Sequence, residues 1–412
     1  MVRRRLHERH KSILLTTGRI PGALELARAL HRAGHRIIIA ECFRTHICRY
    51  SKACDRSYQI APARHLNEFK KDILDIVHRE NIDVVIPTCE EVIHLASFAH
   101  EMPSRCQVYL DDFTKLLKLH SKWEFIQAAA KLGLTVPETI LVDASTSKLP
   151  EHFIEDGYVL KREYSRGGTD VIILPPELSR TTPMPPINDQ SRWVAQKFIP
   201  GKTLCAFAVT WQGKVLSTLT YEPVLRLGQI GVCFIRQEKE KIDQWIKDFV
   251  QKTHHHGFIS MDFMEDQNGE VWAIECNPRI TSGIHLADPQ VLAAVADGPE
   301  QFFQHAKDCR PRQRAMVGTA VMTILPQILT KPSMIRQLWQ SMWQTREVVF
   351  DWRDPLPSFH QLICVMEYIK ISVTHRIALS SCPTYLLEWS DTMHGEDSRS
   401  MLPDQAGLAK NR

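Results

Sequence analysis

The chain has 412 residues, more than a single compact core usually holds, so two or three domains are expected. Hydrophobic residues make up 44% and charged residues 24% of the sequence, as in ordinary soluble globular proteins. The net charge of +4 is too small to predict a nucleic-acid-binding protein.

Neither a membrane span nor a disulfide framework is predicted. A transmembrane helix needs roughly 18–20 consecutive apolar residues, and the nearest candidate, residues 362–378, is interrupted by Glu367, Lys370 and two further ionisable side chains. The eleven cysteines include no CxxC pair, and an odd count without a secretion signal favours reduced thiols. We therefore expect a cytoplasmic protein.

Strand-like and helix-like runs alternate over residues 12–115. A buried strand at 12–17 leads into a helix at 21–33, which begins with Pro21 and has Gly34 just past its end. Further runs of both kinds follow, at 36–41, 69–80, 83–88, 90–100 and 107–110. This alternation predicts a parallel α/β sheet. The first turn contains no GxGxxG motif, so a dinucleotide fingerprint is absent.

The pattern changes in the second part of the chain. A helix is predicted at 121–132 and a strand at 138–142, and from about residue 158 the runs are typical of hairpins in an α+β unit. Residues 175–192, rich in Pro, Ser and Thr, predict a surface loop. An amphipathic helix follows at 242–256. Beyond about residue 308 the sequence leans towards helix, and residues 394–412 are expected to be disordered.

A strand ending in Lys161 runs into a loop that contains Ser165, Gly167 and Gly168. Glycines allow close backbone approach, and successive amide groups can cradle phosphate oxygens. Lys161 would add a positive charge beside that loop. Taken alone, the glycines are better explained by a plain flexible turn, and only together with an oxygen-ligand metal site further along the chain do they favour a nucleotide-binding loop.

The run from Gln196 to Gly201 is a strand that breaks at Pro200-Gly201. Such a break between two lobes suits an adenine. The backbone of Lys197, Phe198 and Ile199 would pair with the adenine edge, and the side chain of Phe198 or Ile199 would pack on its face. A strand followed by a simple hairpin fits the same residues.

Two short strands at 259–264 and 271–279 flank a loop that ends in Asn268-Gly269, a two-residue hairpin signal. With that turn, Asp262 lies directly opposite Glu275, and Asn277 shares their face because strand side chains alternate. A three-residue turn would break this arrangement. Opposed like charges destabilise a strand pair, so the two carboxylates and the amide predict a cation. Oxygen ligands favour Mg²⁺ or Mn²⁺. The alternative is a solvated outer face of the hairpin.

Glu90-Glu91 follows the strand at 83–88, where α/β sheets bind ligands. The pair fits a ligand site or the first turn of a helix, where acidic residues are favoured.

Five motifs, taken in their order along the chain, resemble those of ATP-grasp ligases. The motifs are Lys122, Lys161 with its loop, the hinge 196–201, Asp262 and the run Glu275-x-Asn277-x-Arg279. The resemblance covers roughly residues 12–305. It implies a pre-ATP-grasp α/β domain at 12–115 and an ATP-grasp domain at 116–307, with a small lobe at about 150–200 and a large lobe at about 203–307. A C-terminal extension at 308–393 and the tail complete the chain.

The resemblance also implies roles for these residues. Lys122 and Lys161 would contact phosphates of ATP, and Asp262, Glu275 and Asn277 would hold Mg²⁺. Arg279 would stabilise the transferred phosphoryl group, so Arg279 and Lys161 are the catalytic candidates. The family usually has a glutamate that binds the ribose shortly after the hinge glycine, and this chain has Thr203 there. That difference puts nucleotide affinity in question.

A closer resemblance concerns residues 196–205, 273–279 and 351–357, which are similar to the ATP-grasp ligases of mycosporine biosynthesis. It implies that glycine is joined to the cyclohexenone 4-deoxygadusol.

The hypothesis from the sequence is an ATP- and Mg²⁺-dependent ligase. It would join a phosphorylated carboxylate or enolate to an amine such as an amino acid, with no nucleic acid as partner, and a homodimer is compatible with it. Two alternatives stay open: another amino-acid or peptide ligase of the same fold, and an ATP-binding regulatory protein without catalysis.

Overall fold

The structure is a computed structural model, and it describes these residues: 10–146, 148–165, 170–182, 184, 187, 192–227, 230–299, 312–316, 345–377, 379–387 and 389. The chain divides into two compact units, of which the smaller contains residues 138–198 and the larger contains residues 1–137 and 199–387. Within the described residues, no helix has the length and apolar character needed to cross a membrane. The predicted tail at 394–412 lies outside the described residues.

The larger unit begins with a parallel five-stranded sheet whose strand order is β3-β2-β1-β4-β5. Its strands and the helices that follow are, in chain order, β1 (Ser12–Leu15), α1 (Pro21–Arg32), β2 (Arg36–Glu41), β3 (Arg56–Gln59), α2 (Leu66–Arg79), β4 (Val84–Ile86), α3 (Glu91–Phe98), β5 (Gln107–Val108), α4 (Phe113–His120) and α5 (Lys122–Lys131). The predicted parallel α/β sheet is therefore confirmed.

Local sequence signals set several helix ends in this part. Proline occupies the first position of α1, and Gly34 just beyond it adopts φ +94°, which a side chain with a Cβ disfavours. Asp112 caps α4 by accepting from the backbone N–H of Thr114 at 2.9 Å. Ser121 in turn caps α5 by accepting from the N–H of Glu124 at 3.0 Å. The caps place His120 and Lys122 on either side of one tight junction.

The smaller unit is a four-stranded antiparallel sheet in the order β6-β9-β7-β8. Its elements are β6 (Thr139–Val142), α6 (Glu151–Asp156), β7 (Tyr158–Arg162), β8 (Val171–Leu174), α7 (Pro176–Ser179) and β9 (Trp193–Lys197). The buried side chains of Phe153, Tyr158 and Leu160 form much of its core. The short helix α7 was not predicted: the proline-rich segment 175–192 was expected to be loop throughout, but Pro176 suits the first helical position.

The second sheet of the larger unit has seven strands in the order β14-β13-β10-β11-β12-β15-β16. The remaining elements are β10 (Gly201–Trp211), β11 (Lys214–Leu227), β12 (Ile230–Gln237), α8 (Glu240–Thr253), β13 (Gly257–Asp266), β14 (Val271–Asn277), α9 (Pro289–Asp297), β15 (Arg314–Met316), β16 (Arg346–Glu347) and α10 (Leu356–His375). The amphipathic helix predicted at 242–256 is α8. It ends at His254, which adopts the left-handed conformation typical of a C-terminal cap.

The two faces of this sheet pack into different cores. One face contributes Leu204, Met261 and Phe263 to a cluster with Phe125 of α5 and Phe249 of α8. On the other face, Phe207 and Phe258 stack at 5.8 Å between ring centroids and belong to the cluster that includes β1 and α1. The parallel sheet and its helices therefore cover only the end of this face at which Phe207 and Phe258 lie.

Candidate active site

The hairpin β13–β14 carries the three residues predicted to bind a metal, and its turn differs from the prediction. Asp266 donates from its N–H to the carbonyl of Glu270 at 2.9 Å, so three residues, Gln267–Gly269, form the loop instead of Asn268-Gly269 alone. Gly269 takes φ +72°, as expected for the last residue of such a loop. A three-residue turn was expected to separate the acidic pair, and that expectation was wrong.

A β-bulge restores the pairing. The register is Phe263 opposite Ala273 and then Asp262 opposite Glu275, so the extra residue on β14 is Ile274. Asn277 lies opposite Ser260 and two residues from Glu275, which puts it on the same face as both carboxylates. The Asn277 amide nitrogen is 3.5 Å from a Glu275 carboxylate oxygen. The hairpin thus gathers two carboxylates and one amide through its register alone.

The neighbouring strand β10 extends the same face. Cys205 lies opposite Asp262 and Thr203 opposite Met264, so both side chains point to the side of the acidic pair. All four of these side chains and that of Glu275 are half-buried, in contrast to the fully covered Phe207–Phe258 end of the face. The acidic pair therefore occupies the part of the sheet that stays accessible.

Arg279 lies two residues beyond the end of β14 and connects the acidic hairpin to the N-terminal parallel sheet. Its guanidinium donates to the side-chain oxygen of Asn277 at 3.0 Å and lies 3.1 Å from a carboxylate oxygen of Glu90. Glu90 is 2% exposed and Arg279 is mostly buried. A charge-assisted contact of this kind in a buried site fixes the guanidinium strongly. Arg279 was predicted from the sequence, but no partner was assigned to it.

Lys122 lies beside Glu275, and His120 lies close enough to Glu90 for the two groups to interact electrostatically. The Lys122 ammonium is 3.9 Å from a carboxylate oxygen of Glu275, and the lysine side chain is 3% exposed. The pKa of His120 is lowered to about 4, first by burial and against the opposing charge of Glu90. His120 is therefore neutral at pH 7. Sequence reasoning missed it, because a single histidine at a helix end carries no distinctive signal.

The carboxyl edge of the parallel sheet, at which Glu90 lies, is polar and buried. Glu91 accepts from the Thr16 hydroxyl at 2.8 Å and from the N–H of Thr88 at 2.8 Å. Burial raises the pKa of Glu91, and these donors oppose the rise. Glu91 begins α3, as the helix-start alternative predicted, and Glu90 contacts Arg279, while the ligand-site alternative stays a prediction.

The smaller unit holds the predicted phosphate and adenine residues. Lys161, on β7, is 4% exposed, and the Ser165 hydroxyl donates to the carbonyl of Arg162 at 3.3 Å. Gly167 and Gly168 lie outside the described residues. The structure therefore describes the strand and the beginning of the loop, and the glycine cradle stays a prediction.

Several polar groups of the predicted hinge residues already form hydrogen bonds within the smaller unit. The Gln196 side chain is buried and donates to the Thr139 hydroxyl at 3.1 Å. The N–H of Lys197 donates to Glu138 at 2.8 Å, and that of Phe198 donates to Gly157 at 3.0 Å. An adenine edge would therefore use the carbonyl oxygens here, or the backbone of Ile199.

The family resemblance assigns the ribose position to Thr203, which lies on β10, and that assignment stays a prediction. The Thr203 hydroxyl lies 3.6 Å from the sulfur of Met264 on the neighbouring strand. Sulfur is a weak hydrogen-bond acceptor, so little holds this hydroxyl in place.

A family model described as an ATP-grasp domain matches residues 119–283, which span α5, the smaller unit and the hairpin β13–β14. A search of curated proteins found no match.

Three solved structures illustrate the similarity in fold. N5-carboxyaminoimidazole synthetase from Staphylococcus aureus complexed with ADP matches with a TM-score of 0.53 at 16% identity, covering 74% of this chain and 80% of that chain. L-amino acid ligase from Bacillus licheniformis matches with a TM-score of 0.56 at 16% identity, covering 74% and 79%. The biotin carboxylase domain dimer of 2-oxoglutarate carboxylase from Hydrogenobacter thermophilus, complexed with MgADP, ADP and bicarbonate, matches with a TM-score of 0.56 at 16% identity, covering 70% of each chain.

The comparisons and the geometry agree on the architecture. The predicted order of a parallel α/β domain followed by an ATP-grasp fold is confirmed. The chain therefore has an ATP-grasp fold, and residues 119–283 match the model of an ATP-grasp domain.

Proposed function

We propose that the protein is an ATP- and Mg²⁺-dependent ligase that forms a C–N bond between an activated acid or enol and an amine. The observation that supports the proposal is the group of residues at the accessible end of the face formed by β10, β13 and β14. There Asp262, Glu275 and Asn277 lie on one hairpin, and Arg279, two residues beyond its end, contacts Glu90 of the parallel sheet.

The hairpin residues fit a hard cation. They offer two carboxylates and one amide oxygen, the donor type that Mg²⁺ and Mn²⁺ prefer. Mg²⁺ is usually held by one or two carboxylates together with waters and phosphate oxygens, so the acidic pair with the amide of Asn277 offers enough protein donors. The amide oxygen already accepts from Arg279 and keeps a second lone pair for a cation. Mg²⁺ held here would neutralise negative charge on the phosphates of ATP.

The basic side chains would bind and orient the phosphates. Lys122 lies 3.9 Å from Glu275, close enough to balance the carboxylate and to meet an oxygen of ATP beside it. Lys161 is proposed for the same task on the family resemblance alone. Arg279 is held from two sides and would meet the charge that develops during transfer without reorganising.

The proposed reaction has two steps. A carboxylate or enolate oxygen of the substrate attacks the γ-phosphorus of ATP, the bond from that phosphorus to the β,γ-bridging oxygen breaks, and ADP leaves. The amine nitrogen then attacks the activated carbon and loses a proton, and orthophosphate leaves with the oxygen that it gained. No side chain of the protein needs to form a covalent intermediate.

The substrates are proposed at two levels. Similar structures named as a carboxyaminoimidazole synthetase and an L-amino acid ligase support an acid and an amine as the class. Within that class, the resemblance of residues 196–205 and 273–279 to the mycosporine ligases supports glycine and a cyclohexenone. The third segment of that resemblance has a structural role instead, because Asp354 pairs with Arg28 at 2.9 Å.

The second candidate function is ATP binding as a regulatory signal, without catalysis. Thr203 favours it, because its hydroxyl contacts only a weak acceptor and a threonine binds a ribose less firmly than a glutamate. The accessible acidic pair and the doubly held Arg279 favour catalysis instead, since a regulatory site has no need to stabilise a transferred phosphoryl group.

ADP release with a panel of substrates separates the two functions. The panel contains carboxylic acids and a 4-deoxygadusol-type cyclohexenone, each offered with and without individual amino acids. A ligase gives ADP that requires both substrates and Mg²⁺, and Glu275→Gln lowers its rate of formation about 100- to 1,000-fold. Glu270→Gln, at the exposed end of the same hairpin and paired with Lys241, is the matched control and keeps the activity. Tight ATP binding with no ADP on any pair would support the regulatory function.

A further inference from the structure

Exposed apolar side chains are concentrated in one C-terminal segment. Of the twelve large hydrophobic side chains that are exposed in the described part of the chain, eight lie between Trp352 and Val373. Seven of the eight are on α10. Soluble proteins rarely leave a continuous apolar surface of this kind uncovered unless something binds it.

The helix is fixed to the protein by its opposite side. Pro357 and Cys364 are buried, and His360 stacks on Tyr50 with ring centroids 3.5 Å apart. Tyr368 lies 6.2 Å from Phe43 between ring centroids. The apolar stripe is therefore on the outer side and is held in a defined orientation.

The preceding loop adds a second attachment. The Asp354 carboxylate accepts from Arg28 at 2.9 Å and from the N–H of Lys52 at 2.9 Å. Arg28 also donates to the carbonyls of Val349 and Asp354. A helix anchored at its beginning and along one side presents its outer face as a rigid surface, which lowers the entropy lost when that face binds.

The spacing of the exposed residues is that of a helix that packs on another helix. Phe359, Leu362, Met366, Ile369 and Val373 follow each other at steps of three, four, three and four, and their exposed fractions run from 47% to 74%. This is the pattern of the apolar positions in helices that cross at about 20°. The partner surface is therefore expected to be a helix with the same pattern.

The stripe is complementary to a second copy of itself. It is almost symmetric about Met366, so two antiparallel copies with Met366 facing Met366 bring Phe359 opposite Val373 and Leu362 opposite Ile369. A large side chain then meets a small one at each end. A twofold interface requires this kind of self-complementarity. The seven exposed large side chains of α10 offer on the order of several hundred Å², the scale that specific interfaces bury on each partner.

The charge of the helix argues against a membrane as the occupant. Glu367 and Lys370 are the only acidic and basic residues in α10 apart from histidine, so the helix itself carries no net charge. Helices that lie on anionic membranes are rich in lysine and arginine.

We propose that α10 forms the interface of a homodimer in which two copies of the helix pack antiparallel about a twofold axis at Met366.

Charge substitutions at Met366 test the interface and its register together. We expect the wild-type chain to have the mass of two chains by light scattering after size exclusion, and Met366→Glu and Met366→Lys each to have the mass of one chain. Like charges brought together in an apolar interface repel each other without solvent screening, so we expect each dissociation constant to rise at least about 100-fold. An equimolar mixture of the two variants regains the dimer, because glutamate then faces lysine across the axis. That recovery also shows that both variants are folded.

Leu178→Glu is the matched control, since Leu178 is a comparably exposed apolar residue on α7, and this variant stays dimeric. A wild-type chain of single mass at every concentration would overturn the proposal, as would dimeric Met366→Glu. A mixture that stays monomeric would overturn the position of the axis. A monomeric wild type that binds vesicles of phosphatidylcholine and phosphatidylserine would assign the face to lipid instead.

Discussion

The guanidinium of Arg279 lies 3.1 Å from the carboxylate of Glu90, and both side chains are largely buried. This contact joins a residue just beyond the acidic hairpin to the carboxyl edge of the parallel sheet. It places a fixed positive charge beside Asn277, whose oxygen Arg279 contacts at 3.0 Å. The position of Arg279 therefore depends on the N-terminal domain as well as on its own strand.

Glu90→Gln tests this dependence. The amide keeps the shape of the side chain but removes the charge that holds Arg279, so the guanidinium is less well positioned for phosphoryl transfer. We expect kcat for ADP formation to fall about 10- to 100-fold with little change in KM for ATP. Glu101→Gln, at a half-exposed pair with Lys70, is the control and stays at the wild-type rate. An unchanged kcat would show that Glu90 does not position Arg279.

Asp262→Asn and Glu275→Gln test the metal assignment. Each variant removes one of the two carboxylates that face each other across β13 and β14. We expect kcat/KM to fall about 100- to 1,000-fold, because the cation loses a charged ligand. Magnesium titrations should show half-saturation at higher metal concentration, and calorimetry should show that Mg²⁺ no longer strengthens ADP binding. Wild-type magnesium dependence in both variants would refute the assignment.

Asp354→Ala tests how the C-terminal segment is attached. The substitution leaves Arg28 buried without its carboxylate and removes acceptors for the Ser51 hydroxyl and the Lys52 N–H. Breaking a buried ion pair from one side costs about 3–5 kcal/mol. We expect this loss of unfolding free energy for the larger unit in a urea titration. The exposed neighbour Arg353 is the control, and Arg353→Ala should change the value by less than about 0.5 kcal/mol.

His256 gives the stability a specific pH dependence. Its pKa is lowered to about 4, mainly by burial and against the opposing charge of Asp111. The folded state therefore binds this proton less readily than the unfolded state, whose histidine has its ordinary pKa near 6.5. The contribution of the neutral His256 ring to the free energy of unfolding is present above that ordinary pKa, and it is lost as the pH falls towards 4.

His256→Phe removes this contribution and keeps a ring between Tyr109 and Trp211. Between pH 7 and pH 5 the wild type should lose about 2 kcal/mol more unfolding free energy than the variant. Urea titrations at both pH values measure the difference. Equal losses in the two proteins would mean that His256 is not the residue responsible.

The sequence predicted the elements of the fold well because the relevant signals are local. Pro21 and Gly34 bracket α1, and Ser121 caps α5, so periodicity together with caps was sufficient. The acidic pair was predicted for a partly wrong reason. The hairpin has three loop residues, and only the bulge at Ile274, which no residue type announces, brings Asp262 opposite Glu275.

Contacts between distant segments were beyond prediction. Glu90 and Arg279 are far apart in the chain, and so are Arg28 and Asp354, and nothing in either local sequence indicates the other. His120 becomes part of the site only because the α4–α5 junction lies beside Lys122 and Glu90. Such pairings follow from how the two sheets of the larger unit pack, which a single sequence does not encode in any local pattern.

The central claim is that the γ-phosphoryl group of ATP passes to an oxygen of the acid or enol substrate. The most direct measurement uses the substrate pair that releases ADP fastest in the panel, with ¹⁸O in the carboxylate or enol oxygen, and analyses the phosphate by mass spectrometry. Our account predicts ADP and orthophosphate that carries one ¹⁸O atom from the substrate. Unlabelled orthophosphate, or AMP and pyrophosphate as products, would contradict it.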